Sequence, residues 1–186
     1  MKNAVIFHGT EGTSQSNWIP WLKEELEIIG YEVWAPDLPN SAAPNEDAYT
    51  RFVAQANFPF NDQTILIGHS SGAVALLKLL PKIGTQVKAS FLVSAFENDL
   101  GWPNLKGLFV KPFNFDAIRM NGGDMYFLHG DDDPIVPLQQ ADHIALQCAA
   151  TLVPIAGGGH FNLETSPEYR EFPKLLGKIK EATADK

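Results

Sequence analysis

The hydrophobic residues of this chain fall into two alternating patterns. Short, nearly continuous apolar runs alternate with longer stretches in which apolar residues recur every three or four positions. The short runs have the length and composition of strands that are covered on both faces of a sheet. They predict six strands: Ala4–Phe7, Glu32–Ala35, Thr64–Ile67, Lys88–Ser94, Met125–His129 and Thr151–Pro154.

The longer stretches have the period of helices that bury one face. Gly30 follows the first of them, where a glycine commonly ends a helix, and Pro81 stops the second, which is nearly all apolar. The predicted helices span Trp18–Ile29, Ser71–Leu80, Leu138–Cys148 and, approximately, Pro167–Ile179.

Regular alternation of strands and helices predicts the α/β class, with a mostly parallel sheet of about six strands and helices on both faces. The length of 186 residues suits one domain, over residues 1–186. In such sheets, functional side chains gather beyond the carboxyl ends of the strands. The residues that follow each predicted strand are therefore the candidates for chemistry.

Charge and cysteine content narrow the possible partners and location. The formal net charge of −8 disfavours binding to nucleic acid or to an anionic membrane surface. No apolar run approaches the roughly 18 residues of a membrane helix, and the first run is too short for a signal peptide. The single cysteine, Cys148, cannot form an internal disulfide and lies on an apolar helix face. These features predict a cytoplasmic protein with a buried, unreactive thiol.

The strongest chemical signal follows the third predicted strand. There the sequence Gly68-His69-Ser70-Ser71-Gly72 places a G-x-S-x-G motif between a strand and a helix. A sharp turn at this point forces the serine into a strained conformation, and the two glycines avoid side-chain clashes. The serine oxygen then stands exposed beside the helix N-terminus. We therefore predict Ser70 as a nucleophile.

A nucleophilic serine needs a base and a group that orients the base. Three adjacent aspartates, Asp131, Asp132 and Asp133, follow the fifth strand, and His160 follows the sixth strand after three glycines. Since neighbouring carboxylates repel, at most one aspartate should point inward at an imidazole. We predict His160 as the base and Asp133 as its partner, with Asp132 as the alternative.

The other four histidines are predicted to have structural or surface roles. His8 and His129 end strands, and His69 precedes the serine, where a side chain usually points back into the sheet. His143 falls on the polar face of a helix.

Acyl transfer also requires donors aimed at the developing oxyanion. The amide of Ser71 is one candidate, because it follows the nucleophile at the start of the helix. The second is expected from the loop after the first strand, where we choose Thr10, with Glu11 as the alternative.

The chain resembles the small α/β-hydrolases typified by the retinoblastoma-binding serine hydrolase and its bacterial relatives. The resemblance covers nearly the whole length. It is carried by His8-Gly9-Thr10, Pro36-Asp37-Leu38-Pro39, the motif around Ser70, Pro112-Phe113-Asn114-Phe115, Asp132-Asp133-Pro134 with Pro137, and Gly159-His160-Phe161. In that family the aspartate before the proline orients the histidine, which supports Asp133.

The resemblance implies a single-domain α/β-hydrolase fold and a serine hydrolase for small esters or peptide-like substrates, with no metal and no cofactor. Binding of the retinoblastoma pocket, associated with L-x-C-x-E, is not implied, since the nearest stretch, Leu146–Ala150, lacks the glutamate. The sequence carries no prediction of oligomeric state.

The substrate pocket is expected to be walled by the segment between the fourth and fifth strands, which contains Trp102 and Phe113 among other aromatic residues. The alternative is that these rings only pack the segment onto the sheet. Two other functions are alternatives: a non-catalytic binding module that retains the fold, and a metal-dependent hydrolase. The matched strand-end residues disfavour the first, and the lack of a second ligand cluster disfavours the second.

Overall fold

A six-stranded parallel sheet forms the centre of the molecule. The computed structural model describes residues 1–184, and the last two residues of the predicted domain lie outside the described residues. The strands are β1 (Asn3–Phe7), β2 (Glu32–Trp34), β3 (Thr64–His69), β4 (Ala89–Val93), β5 (Asp124–Gly130) and β6 (Thr151–Ile155). Their order is β2-β1-β3-β4-β5-β6, and every neighbouring pair is parallel. All six strands and the parallel sheet were predicted, with boundaries that differ by one or two residues.

The helices are α1 (Ile19–Ile28), α2 (Glu46–Ala56), α3 (Ser71–Leu79), α4 (Phe115–Asn121), α5 (Leu138–Gln147) and α6 (Pro173–Thr183). Short 3₁₀ turns lie at Leu80–Lys82, Pro103–Leu108 and Pro167–Arg170. In residues 1–184, no helix combines the length and the apolar character that crossing a bilayer requires.

The sheet separates two hydrophobic cores, because successive strand residues point to opposite faces. In β1, Val5 and Phe7 belong to the core that packs against α2–α5, whereas Ala4 and Ile6 belong to the core under α1 and α6. Helices on both faces were predicted, and this arrangement confirms them. In β1, β3 and β4, where every residue is buried, the nearly continuous apolar runs follow directly from burial on both sides.

The sequence patterns missed two helices and misplaced the start of another. Asn45 caps the N-terminus of α2 with a side chain that accepts the Ala48 N–H, and Asn114 caps α4 in the same way. The last helix does not start at Pro167 as predicted, since a 3₁₀ turn occupies that position and α6 begins at Pro173. The prediction for α1 is confirmed, with Gly30 at a φ of 92° after its end.

Cys148, directly after α5, is buried as expected. Burial raises the pKa of its thiol to about 12, so the thiol stays protonated at neutral pH.

Candidate active site

Ser70 occupies the sharp turn between β3 and α3. Its φ of 54° and ψ of −123° form a conformation that non-glycine residues rarely adopt. A Cβ atom at Gly68 would come within 2.5 Å of the Ala73 Cα, and one at Gly72 within 2.4 Å of the His8 carbonyl oxygen. The predicted steric need for both glycines is thereby confirmed, and it explains how the chain passes directly from strand to helix at this serine.

Asp133 and His160 meet across two neighbouring loops. Asp133 follows β5, His160 follows β6, and the imidazole Nδ1–H donates to the Asp133 Oδ2 at 2.8 Å. The carboxylate also accepts the Ser94 hydroxyl at Oδ2, and the N–H groups of Ile135 and Val136 at Oδ1. Burial opposes ionisation of Asp133, but the hydrogen bonds from His160 and these amides outweigh it, so the pKa of Asp133 lies below its usual value.

The other two aspartates of the run brace the loop that carries His160. Asp131 and Asp132 are exposed, as expected for residues that are not the imidazole partner. Asp131 accepts the N–H of Gly157 at 2.9 Å, and Asp132 accepts the N–H of Gly159 at 2.8 Å. These bonds tie the strand-end loop of β5 to that of β6. Sequence reasoning missed this role, which depends on the distance between two loops far apart in the chain.

His8 and His129 have the structural hydrogen bonds that their positions predicted. The His8 Nε2 accepts the Leu38 N–H at 2.9 Å, and its Nδ1–H donates to the Gly9 carbonyl. The His129 Nε2–H donates to the Val136 carbonyl at 2.8 Å. Burial lowers the pKa of both rings, which favours their neutral forms.

His69 points back into the molecule and supports the His160 backbone. Its Nε2–H donates to the His160 carbonyl at 2.8 Å, and its ring packs edge-on against Trp18. Burial, with a smaller contribution from the neighbouring His160, lowers the pKa of His69 to about 3. The indole N–H of Trp18 in turn donates to the Phe161 carbonyl at 3.0 Å. Buried neutral donors therefore hold the backbone of the His160 loop. His143 is exposed on α5, as predicted, and pairs with Glu97.

The two predicted oxyanion residues lie beside each other, Thr10 in the loop after β1 and Ser71 at the start of α3. The Thr10 hydroxyl donates to the Ser71 Oγ at 2.9 Å. The Glu11 N–H donates to the Ser41 carbonyl at 3.1 Å, so the alternative donor is already engaged. Within residues 1–184, the amides of Thr10 and Ser71 take part in no backbone hydrogen bond and remain available.

Ser70 and His160 line a cleft of about 520 Å³, a volume typical of small-molecule sites. Part of its lining is apolar and comes mainly from the segment after β4: Phe96, Leu100, Trp102, Leu105, Ile135 and Leu163. The polar lining comes from the loops after β1 and β6 and from one residue of the 3₁₀ turn Pro103–Leu108. It includes Glu11, Gln15, Ser16, Asn17, Asn104, Asn162 and Glu164. The sequence analysis missed most of these polar residues, although their loops follow strand ends, where such residues are expected.

Of the two aromatic residues predicted to bind substrate, Trp102 lines the cleft and Phe113 does not. The indole of Trp102 is 45% exposed. The Phe113 ring instead packs beside Phe109 and Phe115, with the Lys78 Nζ 4.2 Å from its centroid. This cation–π contact holds the ring against α3, away from Ser70. Phe113 thus lies outside the lining of this cleft, and its contacts are those of the packing alternative.

Comparison with known proteins agrees with this architecture. A family model described as "Serine hydrolase" matches residues 4–180. The chain is 30% identical to the serine hydrolase RBBP9 of Rattus norvegicus over 182 residues, which cover 95% of this chain and 93% of the relative. It is 28% identical to YdeN of Bacillus subtilis over 163 residues, or 86% of each chain.

Solved structures show the same fold. The crystal structure of the B. subtilis ydeN gene product matches over 100% of both chains, with a TM-score of 0.90 and 25% identity. Est1E of Butyrivibrio proteoclasticus with bound ferulic acid matches over 100% of this chain and 90% of that chain, with a TM-score of 0.74 and 17% identity. The parallel sheet with helices on both faces is thus the α/β-hydrolase fold. The protein is an enzyme of the hydrolase class, and the chain belongs to the serine hydrolase family.

Proposed function

We propose that this enzyme hydrolyses small carboxylic esters or peptide-like substrates through an acyl-enzyme, with Ser70 as nucleophile, His160 as base and Asp133 as its orienting acid. The observation that carries the proposal is the 2.8 Å hydrogen bond between Asp133 and the Nδ1 of His160, whose ring shares a cleft with the strained Ser70. Because Asp133 occupies Nδ1, Nε2 is the ring nitrogen that can receive the serine proton.

The reaction proceeds in two acyl transfers. The Ser70 oxygen attacks the substrate carbonyl carbon while His160 takes the hydroxyl proton, and the carbonyl oxygen becomes an oxyanion. Collapse of this intermediate re-forms the carbonyl and breaks the bond to the leaving group, which takes the proton from His160. Water then attacks the acyl-enzyme in the same way, releasing the acid and restoring Ser70.

The amides of Thr10 and Ser71 stabilise the oxyanion in both steps. Ser71 is the first residue of α3, where unpaired N–H groups and the helix dipole favour negative charge, and Thr10 lies beside it in the loop after β1. The engagement of the Glu11 amide by Ser41 supports Thr10 as the second donor.

The shape of the cleft favours small or medium acyl groups. Its apolar wall is the short segment around Phe96, Trp102 and Leu105, which buries a limited length of acyl chain. This supports short-chain esters over long-chain lipids.

An active-site serine probe tests the proposal. A fluorophosphonate should label the wild-type protein once per chain, Ser70→Ala should abolish the adduct, and Ser71→Ala should retain it. Ser71 is the matched control because its hydroxyl is buried and bonded to Thr10. Labelling that persists in Ser70→Ala would refute the assignment of the nucleophile, and an unlabelled wild type would favour a binding module.

The class of substrate is tested separately with short-chain aryl esters. Their turnover by the wild type, lost in Ser70→Ala, is the expected result. A protein that labels at Ser70 and turns over no ester of any length would overturn the ester class in favour of peptide-like substrates.

A further inference from the structure

Ser94, the residue that follows β4, donates its hydroxyl to the buried carboxylate of Asp133. The distance from the Ser94 Oγ to the Asp133 Oδ2 is 3.0 Å, and both side chains are inaccessible to solvent. The oxygen that accepts this bond is the one that accepts the His160 Nδ1–H at 2.8 Å. Ser94 therefore contacts the acid at the atom through which the acid holds the imidazole.

The backbone of Ser94 is held in a conformation that costs free energy. Its φ of 50° lies in the left-handed region, which a serine adopts rarely. Its N–H donates to the Leu128 carbonyl of β5 at 2.9 Å, so the residue is anchored to the neighbouring strand. This backbone hydrogen bond holds Ser94 at the end of β4, where its hydroxyl reaches the carboxylate of Asp133.

The backbone amides that bind the Asp133 carboxylate contact a different oxygen from the one that Ser94 contacts. The amides of Ile135 and Val136 both bind Oδ1, at 2.8 and 2.9 Å. The His129 Nε2 lies 3.6 Å from Oδ2, but its proton is given to the Val136 carbonyl. Among the described residues, the Ser94 hydroxyl and the His160 Nδ1–H are therefore the two donors that bind Oδ2 of Asp133.

We propose that Ser94 is a positioning residue for the proposed reaction, one that holds the Asp133 carboxylate in the rotation at which Oδ2 faces the His160 Nδ1. Hydrogen bonds to charged acceptors are directional and strong in a dry environment. Two amides bind Oδ1 and Ser94 binds Oδ2, so the carboxylate is held in one orientation. The hydrogen bond from Nδ1 to Oδ2 then fixes the orientation of the imidazole. The inference rests on the proposed function, because it requires that Asp133 orient the base.

The test compares Ser94→Ala with Ser94→Gly by steady-state kinetics on an aryl ester. Both variants remove the hydroxyl, but glycine also relieves the left-handed backbone. Loss of one charge-assisted hydrogen bond should lower kcat about 10-fold in both variants, with KM within about twofold of wild type. Ser94→Gly should unfold at a higher temperature than Ser94→Ala, so that activity and stability separate.

The matched control is Ser90→Ala, on β4, the strand that Ser94 follows. Ser90 is equally buried and its hydroxyl donates to the Gly122 carbonyl at 2.8 Å, away from the acid. This variant should lose stability and keep kcat. A wild-type kcat in Ser94→Gly alone would show that position 94 affects activity only through its backbone conformation. A wild-type kcat in both Ser94 variants would show that the hydroxyl does not contribute to turnover. Either result would refute the positioning role.

Asp133→Asn, measured in the same assay, separates the two proposals. If Asp133→Asn keeps its activity, the proposed function fails. If Asp133→Asn is inactive while the Ser94 variants match wild type, the role of Ser94 alone is refuted.

Discussion

The side chains of Thr10 and Ser71 are joined by a hydrogen bond of 2.9 Å from the threonine hydroxyl to the serine oxygen. The bond links the loop after β1 to the first residue of α3, and so it connects the two segments whose amides we propose as oxyanion donors. A shift of either segment would change the spacing of those amides. The donor geometry therefore depends on a side-chain contact as well as on the backbone.

Thr10→Val tests this contact, because valine keeps the shape and the amide of residue 10 but removes the hydroxyl. We expect kcat to fall about 5- to 10-fold, since a slightly misplaced donor stabilises the oxyanion less. Thr10→Ser, which keeps the hydroxyl, is the control and should retain most activity. An unchanged kcat in Thr10→Val would show that the amides hold their positions without the bond.

The three adjacent aspartates should separate by function. Asp133→Asn should lower turnover by roughly 10³- to 10⁴-fold, because the imidazole loses its orienting carboxylate. Asp132→Asn should change turnover little, since the amide oxygen of asparagine can still accept the Gly159 N–H. Asp132→Ala, which removes that acceptor, should be several-fold slower than Asp132→Asn. The reverse ranking of Asp132→Asn and Asp133→Asn in kcat/KM would assign the acid to Asp132.

Acyl-chain preference should depend on Trp102 and not on Phe113. We expect kcat/KM for aryl esters to fall beyond about eight acyl carbons, because each methylene gains up to about 0.8 kcal/mol only while it is buried. Trp102→Ala should move the preferred length, since the indole lines the cleft. Phe113→Ala is the control, because its ring packs on Lys78 outside the cleft. Activity that rises through palmitoyl esters would contradict the expected depth.

The charge of the cleft should select against anionic substrates. Glu11 and Glu164 line it, and its lining within residues 1–184 includes no lysine or arginine. An aryl ester with a terminal carboxylate should show kcat/KM about 10-fold below that of a neutral ester of equal length, a gap that salt should narrow. Glu164→Gln should also narrow the gap, whereas Glu24→Gln, at an exposed position on α1 outside the cleft lining, should not. Equal rates for both esters in the wild type would contradict the prediction.

Stability should fall in mild acid because of the buried histidines. Burial lowers the pKa of His69 to about 3, whereas an unfolded histidine titrates near 6.5, so between these values the unfolded chain binds a proton that the folded chain does not. The free energy of unfolding therefore decreases as pH falls through this window, by at most about 1.4 kcal/mol per pH unit for one site.

Thermal unfolding between pH 7 and pH 5 measures this effect. His69→Gln should have a smaller decrease in melting temperature than wild type, although His8 and His129 still contribute. If the melting temperature of His69→Gln depends on pH as steeply as that of the wild type, His69 binds protons equally in the folded and unfolded states.

The elements that were predicted carry a clear apolar pattern in the sequence, and the helices that were missed do not. All six strands were predicted, since every strand carries an apolar run. Helix α2 buries Tyr49 and Val53 but few other apolar residues, and α4 buries Ile118 alone, so neither has a strong periodic pattern. The asparagine caps at Asn45 and Asn114 were the available signals. At the C-terminus, Tyr169 and Phe172 continue the helical spacing of Leu175 towards the N-terminus, which concealed the true start of α6 at Pro173.

The parallel α/β sheet and the turn at Ser70 could be predicted from the chain alone, because burial patterns and the two glycines act over a few residues. The sequence favoured Asp133 among three adjacent aspartates, but its contact with His160, 27 positions away, is seen only in the structure. The support from Ser94 and the exclusion of Phe113 from the cleft likewise depend on where distant segments meet. Such contacts arise only when the strand ends are brought to one edge of the sheet, and no local pattern of residue types encodes the distances between them.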